Sequence, residues 1–332
     1  MRSRIGSFFS INLSIKYFPI SFFAMALGML GFTLSVRKAE QVLLWNIHPS
    51  FFLLILSTIV FALISGVYIL KIALFPEEVG EEFSDPVKMN FFPLFSICFL
   101  LLNIILLDTN ILISKTLWVI GTTIHLFFTL KIVSQWMHHN NFDITSINPA
   151  WFIPAVGNIL IPISGVSHMS PEISWFFFSI GIVFWIVLFT IVFYRIIFHH
   201  PVVMKLLPTF FILIAPPAIG AMSYVKLTGG SLDAFARILY YFSFFTLLLL
   251  LTQIKHFYKL QFYLSWWSYS FPIAAFISSS LMMYQKTGLD FFRIISLILL
   301  SSLSVLVIFL FGKTLQSLYQ NKICIEDTGC ST

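Results

Sequence analysis

SWWSYSFPIAAF, residues 265–276, lies in an apolar segment long enough to cross a bilayer and sets Phe271 directly before Pro272. Proline donates no backbone hydrogen bond and its ring clashes with the carbonyl four residues back. The helix is therefore expected to bend here and leave a carbonyl without its usual partner. In hydrocarbon such a carbonyl must face protein or water, so a break at this depth marks close helix packing or a water-filled cavity. The expectation drawn from this stretch is a cavity with the Phe271 ring as its plug.

The surrounding composition fixes the class. Of 332 residues 59% are hydrophobic and only 10% charged, and mean hydropathy is +0.96. Soluble domains carry roughly a quarter charged residues, so this is an integral membrane protein. With 40 Phe, 11 Tyr and 8 Trp, no single Phe stands out by chemistry alone. The net charge of +6 is scattered between apolar spans and forms no cluster, which excludes a nucleic-acid partner and leaves topology signals and anion attraction. Cys98, Cys324 and Cys330 have no partners at zinc-ligand spacing, so neither a metal nor a cofactor is expected. Arg2, Arg4 and Lys16 precede an apolar run too long for a signal core, which is taken as the first spanning helix.

Ten apolar spans follow one another, at 17–36, 51–70, 89–107, 112–135, 148–166, 174–193, 206–225, 235–254, 264–285 and 291–311. Their connections are short, so the whole chain, 1–332, reads as one transmembrane domain with a short amino-terminal segment, 1–16, and a tail, 313–332. If the amino terminus is cytoplasmic, 12 Lys and Arg fall on the inner side and 7 on the outer, which places both termini inside. Nine of the 14 prolines fall inside spans, and all nine are in odd ones: Pro19, Pro93, Pro149, Pro154, Pro162, Pro208, Pro216, Pro217 and Pro272. Broken odd helices alternating with intact even ones imply five helical hairpins related by an axis along the membrane normal. Irregular backbone belongs away from lipid, so the expected fold is an all-α ring of quasi-fivefold symmetry. Its Pro-kinked odd helices line a central pore and its straight even helices lie outside.

Charge supports a passive pore. Within these bounds no odd span holds Asp, Glu, Lys, Arg or His, whereas coupled transporters carry ionisable groups near the midplane. The deep titratable residue is His125 in span four, a hydrogen-bonded packing residue or a proton-coupling one. The pairs His138/His139 and His199/His200 diverge on a helix and do not chelate. Arg195 and Lys205 flank an inner turn and are expected to attract anions to a pore mouth. FPEEVGEEFSDPVKMNFF, 75–92, reads as a solvated connector, with a regulatory or cation-binding role as the alternative. In LTGGSLDAFARILYY, 227–241, a Gly-Gly turn precedes Ser231 as a helix cap, and Asp233 pairs with Arg237 one turn on. No carboxylate pair, metal cluster or activated nucleophile falls in the spans, so an enzyme is not expected.

INPAWFIPAVGNILIPISG, 147–165, resembles the signature of the TehA-like and plant guard-cell slow anion channel family, also known for tellurite-resistance and C4-dicarboxylate transporters. YFPISFFAMALGMLG (17–31), SDPVKMNFFP (84–93), LPTFFILIAPPAIG (207–220) and WWSYSFP (266–272) extend the resemblance over nearly the whole chain. It implies a homotrimer in a bacterial-type plasma membrane, each protomer a pore of five hairpins. It also implies a phenylalanine gate at Phe271, a small facing residue near Ala24 and a second pore aromatic at Phe92. Pro19, Pro93, Pro154, Pro162, Pro216 and Pro272 are the associated kink or pore-lining residues. The expected function is passage of small monovalent anions such as chloride and nitrate; the alternative is a secondary transporter or exporter of C4-dicarboxylates or tellurite.

Overall fold

The computed structural model describes residues 15–138, 142–257, 260–320 and 322–324, leaving aside the Val156 side chain. Arg2, Arg4, His139 and Cys330, which entered the sequence reading, lie outside them. Among the described residues there is no strand. Twelve helices organise the described residues: α1 (Phe23–Leu43), α2 (Pro49–Leu74), α3 (Pro76–Ser84), α4 (Leu94–Leu106), α5 (Ile111–His138), α6 (Ile153–Leu160), α7 (Pro162–His168), α8 (Pro171–Phe198), α9 (Ala215–Leu227), α10 (Ala234–Thr252), α11 (Ser270–Thr287) and α12 (Asp290–Tyr319); a single turn, Ile254–Phe257, follows α10.

Among the described residues eight segments are long and apolar enough to cross a membrane. Two of the ten spans read from the sequence fall outside this set for local reasons. Pro149, Pro154 and Pro162 divide span five into short helices, and Ser278, Ser279, Ser280, Gln285 and Lys286 lower the hydropathy of α11. Burial separates the eight into two groups. In an apolar 18-residue stretch of each, 78–83% of the residues of Ile20–Leu43, Lys88–Leu106 and Met204–Leu227 are buried, against 28–39% in α2, α5, α8, α10 and α12. The second group exposes Phe51, Ile55, Ile59 and Leu63 of α2 and Val305 and Ile308 of α12, an apolar surface suited to lipid tails.

Each buried segment packs on the helix that follows it: α1 on α2, α4 on α5, α6 and α7 on α8, α9 on α10, α11 on α12. The buried segments also touch in cyclic order, α1 on α4, α4 on α6, α6 and α7 on α9, α9 on α11, and α11 on α1.

The prolines break these segments differently from a mid-helix kink. Five begin as 3-10 helix, at Ile20–Phe22, Lys88–Phe91, Pro149–Phe152, Met204–Ile214 and Leu264–Tyr269, and then continue as α1, α4, α6, α9 and α11. Pro93 directly precedes α4, Pro154 and Pro216 are second in α6 and α9, and Pro272 is third in α11. A missing N–H costs little in a first turn. The expected orphan carbonyl is absent at four junctions, because the residue before the proline donates to it in 3-10 fashion. Phe18 N donates to Ile15 O (3.2 Å) and Phe92 N to Met89 O (3.3 Å). Ile153 N likewise donates to Ala150 O and Ala215 N to Ile212 O.

Polar side chains of α4 and α5 brace the broken segment made of α6 and α7. His125 Nε2 lies 2.8 Å from Pro154 O, Nδ1 lies 2.8 Å from Ser96 Oγ, and Trp118 Nε1 donates to Ile161 O at 3.1 Å. Gly157 passes so close that a Cβ there would collide with the His125 imidazole. The acidic connector is not wholly solvated. Glu82 is buried and accepts from Lys71 Nζ (2.8 Å), Tyr68 Oη (3.0 Å) and Ile20 N (2.7 Å), tying α3 to the start of the first segment. On its surface side Lys16 pairs with Glu78 at 2.7 Å and holds that carboxyl below its ordinary range. The cap of α10 is Asp233, which accepts from Ala236 N (3.1 Å) and Tyr224 Oη (2.8 Å); Ser231 does not cap it, and Asp233 takes Tyr224 rather than Arg237 as its side-chain partner.

Candidate pore

Near the junctions of 3-10 and α-helix all five buried segments send side chains into one small cavity. Ala24 and Leu27 come from the first, Phe91, Leu94 and Ile97 from the second and Ile153 from the third. The fourth gives Ile212 and Ala215, and the fifth Trp267, Ser268, Phe271 and Pro272. Its volume is about 30 Å³, little more than one or two waters occupy. The lining is apolar apart from Ser268, so an ion in it would exchange hydration for hydrocarbon. Phe271 is buried, and its ring lies over Gly31 of α1, where a Cβ would stand 2.8 Å from Cδ2.

Among the residues singled out by sequence, Ala24, Phe271 and Pro272 meet in this cavity. Phe92 does not; it packs edge-on against Phe83 (4.8 Å between ring centres) and Tyr68 (6.1 Å), and Phe91 takes the inward place. Neighbouring residues on a helix point 100–120° apart, so one of an aromatic pair faces in and the other out. Pro19, Pro93, Pro154, Pro162 and Pro216 sit at helix junctions and do not line the cavity.

Further along the same five segments lies a second, wider cavity of about 520 Å³. Leu34, Arg37, Lys38 and Gln41 of α1 line it with Ile104 and Leu107 at the end of the second segment and Ile163 of α7. Met222, Val225 and Lys226 of α9 and Ser278, Met282, Gln285 and Lys286 of α11 complete the wall, with Asp108 and Gly230 at the rim. In every segment the residues at this cavity have higher numbers than those at the small one, so the five run parallel. The 13 residues from Ala24 to Arg37 put the two levels about 20 Å apart at the α-helical rise.

The basic residues of this cup were missed by the sequence reading. Its spans ended at 36, 225 and 285, each one residue short of Arg37, Lys226 and Lys286. The helices run on to Leu43, Leu227 and Thr287 and carry those charges on the inner wall. The signal was present in three odd spans, since each is followed at once by a base. Arg195 and Lys205, expected to do this instead, line neither cavity: Arg195 is buried near the end of α8, and Lys205 is the second residue of the 3-10 stretch Met204–Ile214, where its carbonyl accepts from the Ser265 hydroxyl. Among the described residues no group of three His, Cys, Asp or Glu is placed to hold a metal.

Comparison with known proteins places this geometry in context. Residues 17–315 match the SLAC1 family model, described as a voltage-dependent anion channel. The chain is 31% identical over 308 residues to the S-type anion channel SLAH2 of Arabidopsis thaliana, covering 90% of this chain and 58% of that one. It is 28% identical over 302 residues to an uncharacterized transporter of Methanocaldococcus jannaschii, covering 83% and 87%. It is also 26% identical over 277 residues to a tellurite resistance protein TehA homolog of Haemophilus influenzae, covering 82% and 83%. The chain thus spans little more than half the length of the plant channel.

Proposed function

We propose, from the fact that this chain belongs to the SLAC1 voltage-dependent anion channel family, that it is a passive channel for small monovalent anions such as chloride and nitrate. The single observation that carries this reading is the pair of cavities lined in common by five parallel buried segments, one a narrow apolar neck and the other a wide basic cup. The reading comprises one transmembrane domain of ten helices in five hairpins, a quasi-fivefold ring whose inner wall is the buried segments. The cyclic contacts and the contrast in burial support it. Both termini are cytoplasmic in a bacterial-type plasma membrane, and three such protomers assemble, each with its own pore.

Phe271 is the gate in this proposal. An apolar ring filling a neck of this size blocks ions by denying them water. Turning one ring off its preferred rotamer costs about 1 kcal/mol, within reach of a modest signal. Ala24 and Pro272 line the neck with the ring, and Gly31 leaves room for it. Coupled export of dicarboxylates or tellurite is the competing reading, and it lacks a titratable group at the neck. His125 is held between Pro154 and Ser96 outside both cavities.

Anion efflux from liposomes carrying the wild type and Phe271→Ala is the test. Truncation is expected to raise chloride flux at least tenfold, with no dependence on a proton gradient. Unchanged flux in a correctly folded variant sinks the gate, and uphill transport driven by protons sinks the channel.

A further inference from the structure

We propose that the basic cup is a binding site for a small divalent oxyanion of sulfate size, which occupies the cup and blocks the neck below it. The blocking role rests on the channel reading; the binding does not.

Arg37, Lys38, Lys226 and Lys286 share the cup with one carboxylate, Asp108. Asp108 is engaged by Gln41 Nε2 at 2.8 Å, and Lys38 Nζ by Gln285 Oε1 at 3.2 Å. Among the described residues none of the four bases forms an ion pair within the cup, and Arg37 Nε is buried without a hydrogen-bond partner. The Gly-Gly turn opens the space for one of them. Lys286 Nζ lies 3.0 Å from where a Cβ on Gly230 would stand, and Gly230 takes φ +95°, a conformation that side-chain-bearing residues rarely adopt. Five helix carboxyl ends also face this level, each contributing about half a negative charge, so backbone alone would repel anions there. The four bases reverse that sign.

Valence then decides how far an anion travels. Attraction to each base scales with the charge of the anion, so a dianion gains about twice what chloride gains in the cup. The desolvation cost of entering an apolar neck scales with the square of the charge, about fourfold higher for the dianion. A dianion is therefore held where a monovalent anion passes on, and 520 Å³ accommodates it with part of its hydration shell.

Titration calorimetry of sulfate into the purified full-length protein tests the site directly. Wild type is expected to bind; Lys226→Gln and Lys286→Gln are each expected to bind about tenfold more weakly, the effect of removing one unit charge from beside a dianion. Lys131→Gln, an exposed base on α5 away from the cup, is expected to bind as the wild type does. No binding by the wild type, or equal binding by all four proteins, overturns the site. For the block, sulfate on the cup side is expected to lower chloride flux through Phe271→Ala, and Phe271→Ala/Lys226→Gln is expected to be relieved of it. Sulfate crossing as fast as chloride overturns the block. A Phe271→Ala protein that binds sulfate and conducts no chloride overturns the channel reading and leaves the site standing.

Discussion

Gly31 and Phe271 form one device on facing helices. A methyl group on Gly31 would stand 2.8 Å from the ring, so Gly31→Ala must either turn the ring or part α1 from α11. Overpacking of this kind costs about 1–3 kcal/mol, and the expected result is a lower unfolding temperature for Gly31→Ala. In a Phe271→Ala background the obstacle is gone, and the same substitution is expected to be near neutral. An equal penalty in both backgrounds would show that the ring is not what Gly31 accommodates. At this scale the sequence was legible where chemistry is coarse. Phe271 stands out through its proline and the family resemblance, but choosing Phe91 over Phe92 needs the azimuth of a 3-10 turn, which sequence spacing does not give.

The broken segment made of α6 and α7 is the element most dependent on its neighbours. Pro154 O is approached by His125 Nε2 at 2.8 Å and Asn158 Nδ2 at 2.7 Å, so α5 holds α6 by a polar strut through an apolar layer. Losing a buried partner of this kind costs about 1–3 kcal/mol, the expected effect of His125→Ala. Gly157→Ala is expected to be worse, since its Cβ would fall on the imidazole, and the double variant is expected to recover part of the loss. Size-exclusion profiles and thermal unfolding in detergent check all three; failure of the double variant to improve on Gly157→Ala would place the clash elsewhere. The alternation of broken and intact helices was readable because proline acts on its own backbone. The strut was not, since Ser96, His125 and Pro154 lie on three elements and meet only when these pack. The same holds for Lys71 and Glu82, which turned an apparently solvated acidic connector into a buried tether.

The whole molecule has one polarity, with the five buried segments running parallel from the neck to the basic cup. With 12 of its Lys and Arg counted on one side against 7 on the other, the cup is expected to face outward. In a background without native cysteines, Ser231→Cys is expected to react with an impermeant thiol reagent from outside and Ser84→Cys only from inside; the reverse pattern would invert the topology. The overall class was fixed by composition, whereas the cup was hidden by span limits drawn one residue short. One proportion of the fold also follows from the 3-10 stretches. The eleven residues Met204–Ile214, at about 2.0 Å each, cover about 22 Å, and the thirteen of α9, at about 1.5 Å each, cover about 20 Å. Their sum, about 42 Å, equals the length of the 28-residue α8 that α9 packs against. Drawing part of the inner wall as the more extended helix lets a chain of 24 residues cover the length that 28 cover as pure α-helix, so the 3-10 stretch spares the inner segment four residues against its outer neighbour.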